Sequence, residues 1–127
     1  MTAMQGDTPN LNQLDLIVTD VPAATAFLAA VLGVEPAYAE ERFAEFRLGA
    51  TTVMLSPDAL VPMAKARGVI LHCEVPNVDR ALARAVAAGA TVLRETAPTD
   101  WGWESAMIAG PDAIVIDFYR LLSVGTG

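Results

Sequence analysis

Cysteine and histidine are scarce in this chain of 127 residues, which contains one of each, Cys73 and His72. A single cysteine excludes a disulfide within the chain, and a lone histidine is a poor signal for a metal site. Basic residues are also few, since eight Lys and Arg stand against fifteen Asp and Glu, for a net charge of −7. This charge repels phosphate backbones and attracts cationic ligands, so we expect no nucleic-acid partner.

Long hydrophobic runs are missing as well. The most apolar stretch, VPAATAFLAAVLGV, is interrupted by Pro and Gly and is too short and too weakly apolar for a bilayer span. The first ten residues, MTAMQGDTPN, lack the basic start and apolar core of a signal peptide. These features predict a cytoplasmic protein with no membrane partner, folded as a single domain over residues 1–127.

The two halves of the chain repeat one another. The stretch LIVTDV recurs as CEVPNV 57 residues later, with the same order of apolar and polar positions. Each copy alternates like a strand and then reaches Asp20 or Asn77, residue types suited to a helix N-cap. An alanine-rich segment follows and predicts a helix that ends near Gly33 or Gly89, where glycine can adopt the left-handed conformation.

Other alternating stretches predict the remaining strands. RFAEFRL and TTVML belong to the first half, and TVLRE, ESAMIA and AIVIDFY belong to the second. The pattern predicts an α+β fold of two β-α-β-β-β modules, residues 11–56 and 69–121. A connector with a possible short helical turn, residues 57–68, joins them. We expect a curved mixed sheet with the helices on its outer face and a concave ligand cleft.

Alternation also divides the strand residues between two faces. The first face is almost wholly apolar and is predicted to pack on the helices; it contains Leu14, Leu16, Val18, Phe46, Leu48, Val53, Leu55, Leu71, Cys73, Val75, Ala106, Ile108, Ile114, Ile116 and Phe118. The second face mixes aromatic, acidic and methionine side chains, as ligand-lining walls do. The ligand-binding candidates, taken from this face and the WGW segment, are Gln13, Asp15, Phe43, Glu45, Arg47, Met54, His72, Glu74, Trp101, Trp103, Ser105, Met107, Asp117 and Tyr119. Packing of this face on a partner subunit remains an alternative.

The order of these segments resembles that of the vicinal oxygen chelate superfamily, which includes glyoxalase I, extradiol dioxygenases, and fosfomycin- and bleomycin-resistance proteins. The matching segments are LDLIVTDVPAATAFLAAVLGV, FRLGATTVML, HCEVPNVDRALARAVAAGATV and WGWESAMIAGPDAIVIDFY, which cover nearly the whole chain. The resemblance implies the two-module fold. It does not imply one activity, because the superfamily contains lyases, transferases, oxygenases and simple binding proteins.

The resemblance also bears on metal binding. In the metal-dependent members, four positions hold one divalent ion, and these positions fall here on Gln13, Met54, Ile70 and Asp117. Two of the four retain an oxygen ligand and two are apolar, whereas firm binding needs about three nitrogen or oxygen ligands. Where the family commonly has DPDGN followed by Ile-Glu, this chain has GPDAIVID. The substitutions imply neither a metal nor another cofactor.

His72 and Cys73 are neighbours in sequence but alternate in direction. His72 is predicted to line the cavity, while Cys73 is predicted to lie in the helix-packed core as a small buried hydrophobic residue. The two side chains therefore cannot act on one substrate. Ser105 could meet His72 across the cavity, but no recognisable oxyanion-binding loop accompanies them, and the sequence does not indicate nucleophilic catalysis.

The mixture of aromatic and acidic cavity residues favours the binding of a planar or aromatic small molecule. Our leading interpretation is a non-enzymatic protein of the bleomycin-resistance type, without catalytic residues, that sequesters a bulky aromatic antibiotic or natural product. One alternative is a glyoxalase-like lyase or isomerase, or a dioxygenase-related enzyme, with a divergent site built on Gln13, His72 and Asp117, either with or without a metal. Another is a protein-interaction module. The resemblance further implies a homodimer whose clefts are shared between chains.

Overall fold

The computed structural model describes residues 8–64 and 68–122 of the chain. The first module contains β1 (Gln13–Ile17), α1 (Val21–Leu32), β2 (Tyr38–Ala39), β3 (Ala44–Leu48) and β4 (Thr51–Ser56). The second module contains β5 (Val69–Glu74), α2 (Val78–Ala87), β6 (Val92–Pro98), β7 (Trp103–Ala109) and β8 (Ile114–Leu121). A short 3₁₀ turn, Pro111–Ala113, precedes β8. Each module has the predicted β-α-β-β-β order.

The two modules share one sheet topology. Their strand orders are β1-β4-β3-β2 and β5-β8-β7-β6, so the first strand of each module pairs with the last. That pairing is parallel, and the other strand pairs are antiparallel. Within the described residues the two sheets share no strand pairing. The repeated topology confirms the α+β fold and the duplication indicated by the sequence.

Both helices begin at the predicted cap residues. The Asp20 side chain accepts a hydrogen bond from the backbone N–H of Ala23, and Asn77 does the same for Arg80, each at 2.9 Å. These bonds satisfy amides that have no partner inside the first turn of a helix. Helix α1 ends at Gly33, whose φ of 68° lies in the left-handed region, as predicted.

The core lies between the helices and the apolar faces of the two sheets. Helix α1 packs on β4 and on α2, and α2 packs on β6, β7 and β8. Every residue assigned from the sequence to the apolar face is either buried or packs against the buried cluster. Phe46 and Phe118 are the largest side chains in that cluster. Because strand side chains alternate, the opposite face of each sheet carries the ligand-binding candidates.

Two local features differ from expectation. Strand β2 was not located from the sequence, because its two residues are too short for an alternation pattern. The connector has no helical turn over residues 57–64, and Leu60, Val61 and Met63 are exposed there. The rest of the predicted turn, residues 65–67, lies outside the described residues. No helix in the described ranges is long and apolar enough to cross a membrane.

Candidate functional site

The register of the second sheet brings most of the module-two candidates together. His72 on β5 is the pairing partner of Asp117 on β8, and Asp117 is in turn the partner of Met107 on β7. One pleat further along, Tyr119 of β8 pairs with both Glu74 and Ser105. Side chains at such positions project from one face of a sheet, so the predicted residues form one contiguous surface.

Asp117 is the centre of a hydrogen-bond network on this surface. Its Oδ2 lies 2.6 Å from Nδ1 of His72, and its Oδ1 accepts a hydrogen bond of 2.5 Å from the hydroxyl of Ser105. The Asp117 and Ser105 side chains are almost fully buried, whereas 44% of the His72 side chain is exposed. A buried carboxylate requires such partners, because an uncompensated one is costly to desolvate.

This network corrects the roles that we assigned from the sequence. Ser105 does not face His72 across a cavity; both residues lie on the same sheet, and each is bonded to Asp117. The order Ser–Asp–His also differs from a nucleophilic triad, in which the histidine lies between the other two. Asp117 and Ser105 are only 1% exposed, so the solvent-accessible member of this network is His72.

Aromatic rings surround His72 on the same face. Trp103 and Tyr119 are stacked, with ring centroids 4.0 Å apart and an interplanar angle of 19°. The imidazole of His72 stands edge-on to both rings, with centroid distances of 5.5 Å to Trp103 and 6.3 Å to Tyr119. Stacked and edge-to-face arrangements are the geometries that aromatic rings prefer. The sequence placed these residues on one face but gave no indication that they contact each other.

Trp101 extends the aromatic surface at the entrance to β7. Its ring lies edge-on to Trp103 at 5.9 Å, and it is 62% exposed. Between the two tryptophans, Gly102 has a φ of 93°, a conformation that residues with a Cβ rarely adopt. The turn is closed by Thr99, which hydrogen-bonds to the backbone N–H and C=O of Trp103. The WGW segment is therefore a tight turn that presents Trp101 to solvent.

The module-one candidates form a separate group on the first sheet. Met54 of β4 pairs with Asp15 of β1 and with Glu45 of β3. Two residues earlier on β4, Thr52 pairs with Gln13 and with Arg47. The exposed Arg47 side chain makes an ion pair of 3.3 Å with the partly buried Glu45. The rings of Phe43 and Tyr38 are neighbours, with centroids 6.0 Å apart. Among the described residues, no hydrogen bond, ion pair or ring contact joins this group to the candidates of module two.

The donor set does not fit a metal ion. Of the four family positions, Gln13 and Met54 lie on the first sheet, while Ile70 and Asp117 lie on the second. Both carboxylate oxygens of Asp117 are engaged by His72 and Ser105. Within the described ranges, no group of three or more His, Cys, Asp or Glu residues is placed to hold a metal.

Cys73 lies on the opposite side of β5, as predicted. It lines a cavity of about 560 Å³ between the modules, together with core residues that include Leu28, Phe46 and Phe118, and its strand neighbours His72 and Glu74 line the same cavity. Burial raises the pKa of the Cys73 thiol, and the negative charge of Asp117 raises it further. The raised pKa favours the neutral thiol over the thiolate. Cys73 is partly buried, whereas the sequence predicted full burial.

Comparison with known proteins gives a family and a fold. The model of the Glyoxalase/Bleomycin resistance protein/Dioxygenase superfamily matches residues 10–118. A solved structure described as a conserved domain protein is 43% identical, with a TM-score of 0.82, and the match covers 89% of this chain and 99% of that one. Among curated proteins, no sequence matches this chain.

Two more distant solved structures share the fold. A glyoxalase-related enzyme from Fulvimarina pelagi is 18% identical with a TM-score of 0.78, over 89% of this chain and 88% of that one. TioX from Micromonospora sp. ML1 is 21% identical with a TM-score of 0.73, over 90% of this chain and 100% of that one. At such identities the likeness concerns the fold and not the activity.

Proposed function

The chain belongs to the Glyoxalase/Bleomycin resistance protein/Dioxygenase superfamily, and from that premise we propose that it binds and sequesters a planar aromatic small molecule without transforming it. The ligand would be a bulky aromatic antibiotic or related natural product, bound by a cytoplasmic protein. One observation carries this proposal: Trp103 and Tyr119 form a stacked pair next to His72, whose Nδ1 lies against the buried Asp117.

The stacked pair supplies the main contact area. Because the two rings already pack on each other, a planar ligand can extend the stack without first ordering flexible side chains. Each aromatic contact contributes about 0.5–1.5 kcal/mol beyond the burial of apolar area. His72 and Trp101, both edge-on to Trp103, border the stack and restrict the orientation of the ligand. The negative net charge favours ligands that also carry a cationic group.

Binding in this proposal requires no cofactor. Two of the four family ligand positions are Met54 and Ile70, which offer no oxygen or nitrogen donor to a divalent ion. The remaining carboxylate, Asp117, is committed to its hydrogen-bond partners in the second sheet. Without a Lewis acid, the site retains the shape and surface of a binding cleft.

We further propose that the protein acts as a homodimer with shared clefts. Among the described residues, no hydrogen bond, ion pair or ring contact joins the module-one candidates to those of module two. A drug-sized ligand normally has 70–90% of its surface buried, roughly twice what one face covers. The module-one face of a second copy, with Phe43 and Met54, would complete the cleft over Trp103 and Tyr119.

The enzymatic alternative remains because of one specific distance. Asp117 lies 2.6 Å from Nδ1 of His72 and fixes the orientation of the imidazole. In many enzymes a carboxylate orients a histidine that acts as a general base in the same way. A glyoxalase-like isomerase or lyase, or a dioxygenase-related enzyme, would use that pair directly on its substrate. The third possibility, a protein-interaction module, would fill the same aromatic face with a partner protein.

Ligand binding and product analysis together test the proposal. Tryptophan fluorescence would be titrated with a panel of planar aromatic antibiotics, and each bound compound would then be recovered and analysed by mass spectrometry. We expect quenching that saturates and a ligand that is recovered unchanged. Conversion of the ligand would instead support the enzyme. Sedimentation of the ligand-free protein at micromolar concentration would show a dimer, and a monomer would contradict the shared cleft.

A further inference from the structure

We propose that the cavity between the two modules binds an apolar monocarboxylic acid, with its tail among core side chains and its carboxylate on the guanidinium of Arg84. This second site is separate from the aromatic surface, because neither Trp103 nor Tyr119 lines the cavity. Its occupation does not depend on the proposed function. Three observations support it, namely the apolar walls, the size of the cavity and the position of Arg84.

Rows of paired strand residues form the walls of the cavity. On the first sheet, Val53 of β4 pairs with Leu14 of β1 and with Phe46 of β3. On the second sheet, Leu71 of β5 pairs with Ile116 of β8. All five side chains line the cavity, and paired residues project from the same face of a sheet. The apolar faces of both modules therefore contribute to one cavity.

The size and place of the cavity are typical of a ligand site. Its volume of about 560 Å³ exceeds by far the small voids that close-packed protein cores contain. Small-molecule sites have volumes of about 300–1,000 Å³ and occur preferentially where two structural units meet. Here Leu28 and Leu32 of α1 complete the lining at the module boundary. Apolar cavities exclude water and take up apolar molecules, so the tail of the ligand belongs among these side chains.

Arg84 supplies the cationic group of the lining. It lies in the last turn of α2, and its Nη1 donates a hydrogen bond of 3.4 Å to the backbone carbonyl of Leu32 in α1. Gly33 makes room for this reach across the boundary, since a Cβ there would lie 2.9 Å from Nη1. In the described part of the chain no carboxylate forms an ion pair with Arg84, whereas three other arginines each have one. A guanidinium has five N–H donors, so Arg84 can bind a ligand carboxylate and keep its present bond.

The charges around the cavity favour a ligand with a single acidic group. β5 is an edge strand, and His72 and Glu74 on its opposite face also border the cavity. Among the described lining residues, Glu74 is the only acid and Arg84 the only Arg or Lys. One carboxylate can pair with Arg84, but a second would meet Glu74 or the apolar walls, where an unpaired charge is costly. The negative net charge of the chain is screened beyond about 8 Å at physiological salt.

Cys73 can report on occupancy, because it lines this cavity and is the only cysteine of the chain. The full-length protein would react with N-ethylmaleimide with and without octanoate, and mass spectrometry would follow the modified fraction. At an octanoate concentration of roughly ten times its Kd, measured by calorimetry, the reaction should slow about tenfold, since only unoccupied protein reacts. 4-Nitrophenol, a planar probe for Trp103 and Tyr119, should still quench tryptophan fluorescence in the presence of octanoate.

Two comparisons identify the tail and the carboxylate of the ligand. From butanoate to octanoate, the affinity should rise by up to about fourfold for each methylene group that enters the apolar lining. Arg84→Gln should weaken the binding of octanoate about twofold to fivefold and leave that of uncharged 1-octanol unchanged. Arg80→Gln is the matched control, because Arg80 lies on the same helix but does not line the cavity. It should change neither affinity.

Several outcomes would overturn the proposal. One is an absence of octanoate binding, and another is unchanged reactivity of Cys73 at saturating octanoate. Displacement of 4-nitrophenol by octanoate would also contradict a second site, because the two ligands would then share one. Equal losses in Arg84→Gln and Arg80→Gln would show a general effect of charge and remove the role assigned to Arg84. Protection of Cys73 that depends on tail length and on Arg84 alone would support the site.

Discussion

The indole of Trp103 and the phenol ring of Tyr119 lie 4.0 Å apart and almost parallel, on neighbouring antiparallel strands. The strand register explains this contact: Tyr119 pairs with Ser105, so Trp103 is its diagonal neighbour on the same face. Diagonal neighbours are within reach of aromatic side chains. The sheet therefore fixes a two-ring surface within the folded chain.

Truncation of the stacked pair should weaken aromatic binding. Tyr119→Leu removes one ring and leaves Trp103 without its stacking partner, and we expect the affinity for 4-nitrophenol to fall at least about fivefold. Trp101→Phe should have a smaller effect, because Trp101 is mostly exposed and contacts Trp103 only edge-on. Fluorescence titration of the two variants measures both effects. A larger loss in Trp101→Phe would place the ligand on the WGW turn instead.

Loss of the Ser105 hydroxyl should destabilise the fold. Ser105→Ala leaves a buried carboxylate oxygen of Asp117 without its donor, which costs about 1–3 kcal/mol. Thr96→Val should have the opposite effect on stability. The Thr96 hydroxyl oxygen is buried and has no hydrogen-bond partner in the described part of the chain. Its removal should be neutral or stabilise the protein by about 1 kcal/mol. Urea denaturation at neutral pH would measure both changes.

A double-mutant cycle separates this hydrogen bond from simple loss of volume. In an Asp117→Asn background the buried group is an uncharged amide, so Ser105→Ala should cost less than it does in the native protein. Additive effects of the two substitutions would contradict the dependence of Asp117 on Ser105.

The sequence predicted the faces of the strands better than the contacts between them. Alternation alone assigned Leu16, Phe46 and Ile116 to the core and His72 to the opposite face, because the two-residue period of a strand is a local property. The contact between Ser105 and Asp117 depends on the register of β7 against β8, which the turn between these strands sets. That turn departs from the usual family sequence, and a single sequence does not show how its geometry changes.

For the module-one candidates, too, the sequence predicted the strand face but not the long-range contacts. The sequence correctly placed Asp15, Met54 and Glu45 on one face, but it combined them with residues of module two into one continuous set. Each module forms its own sheet, and the relation between the sheets depends on helix packing. Long-range packing of this kind leaves no periodic signal in the chain.

Cys73 should make stability decrease at alkaline pH. Burial, and then the charge of Asp117, raises the pKa of its thiol in the folded state. The folded protein therefore retains this proton at a pH where the unfolded chain loses it. The resulting stabilisation is complete below about pH 8.5, the usual thiol value, and is lost as pH rises towards the folded-state value.

Comparison with Cys73→Ala isolates this effect. The difference in unfolding free energy between the native protein and the variant should decrease as pH rises above about 8.5. In parallel, native Cys73 should react more slowly with a thiol reagent than it does in urea. A constant difference across the alkaline range would show that the thiol titrates equally in the two states.

The turn before β8 should be strained at Ala113. Asp112 and Ala113 have φ values of 52° and 68°, and both lie in the left-handed region. Asp112 has a local reason to adopt this conformation, because its carboxylate accepts hydrogen bonds from the backbone N–H of Thr19 at 3.2 Å and from the Thr19 hydroxyl at 2.9 Å. Those bonds fasten the turn to the first module. Ala113 makes no comparable bond, and the left-handed conformation costs an alanine about 1–2 kcal/mol.

Ala113→Gly should therefore stabilise the protein by removing this strain. Glycine also raises the conformational entropy of the unfolded chain, which opposes the gain by about 0.4–1 kcal/mol. The two terms predict a net gain of up to about 1.6 kcal/mol in the free energy of unfolding. Ala88→Gly is the matched control: Ala88 is exposed at the end of α2 with a φ of −86°, so the same substitution there relieves no strain and should destabilise. If Ala113 is strained, urea denaturation should show a higher unfolding free energy for Ala113→Gly and a lower one for Ala88→Gly. Destabilisation by both would show that the turn accommodates alanine without cost.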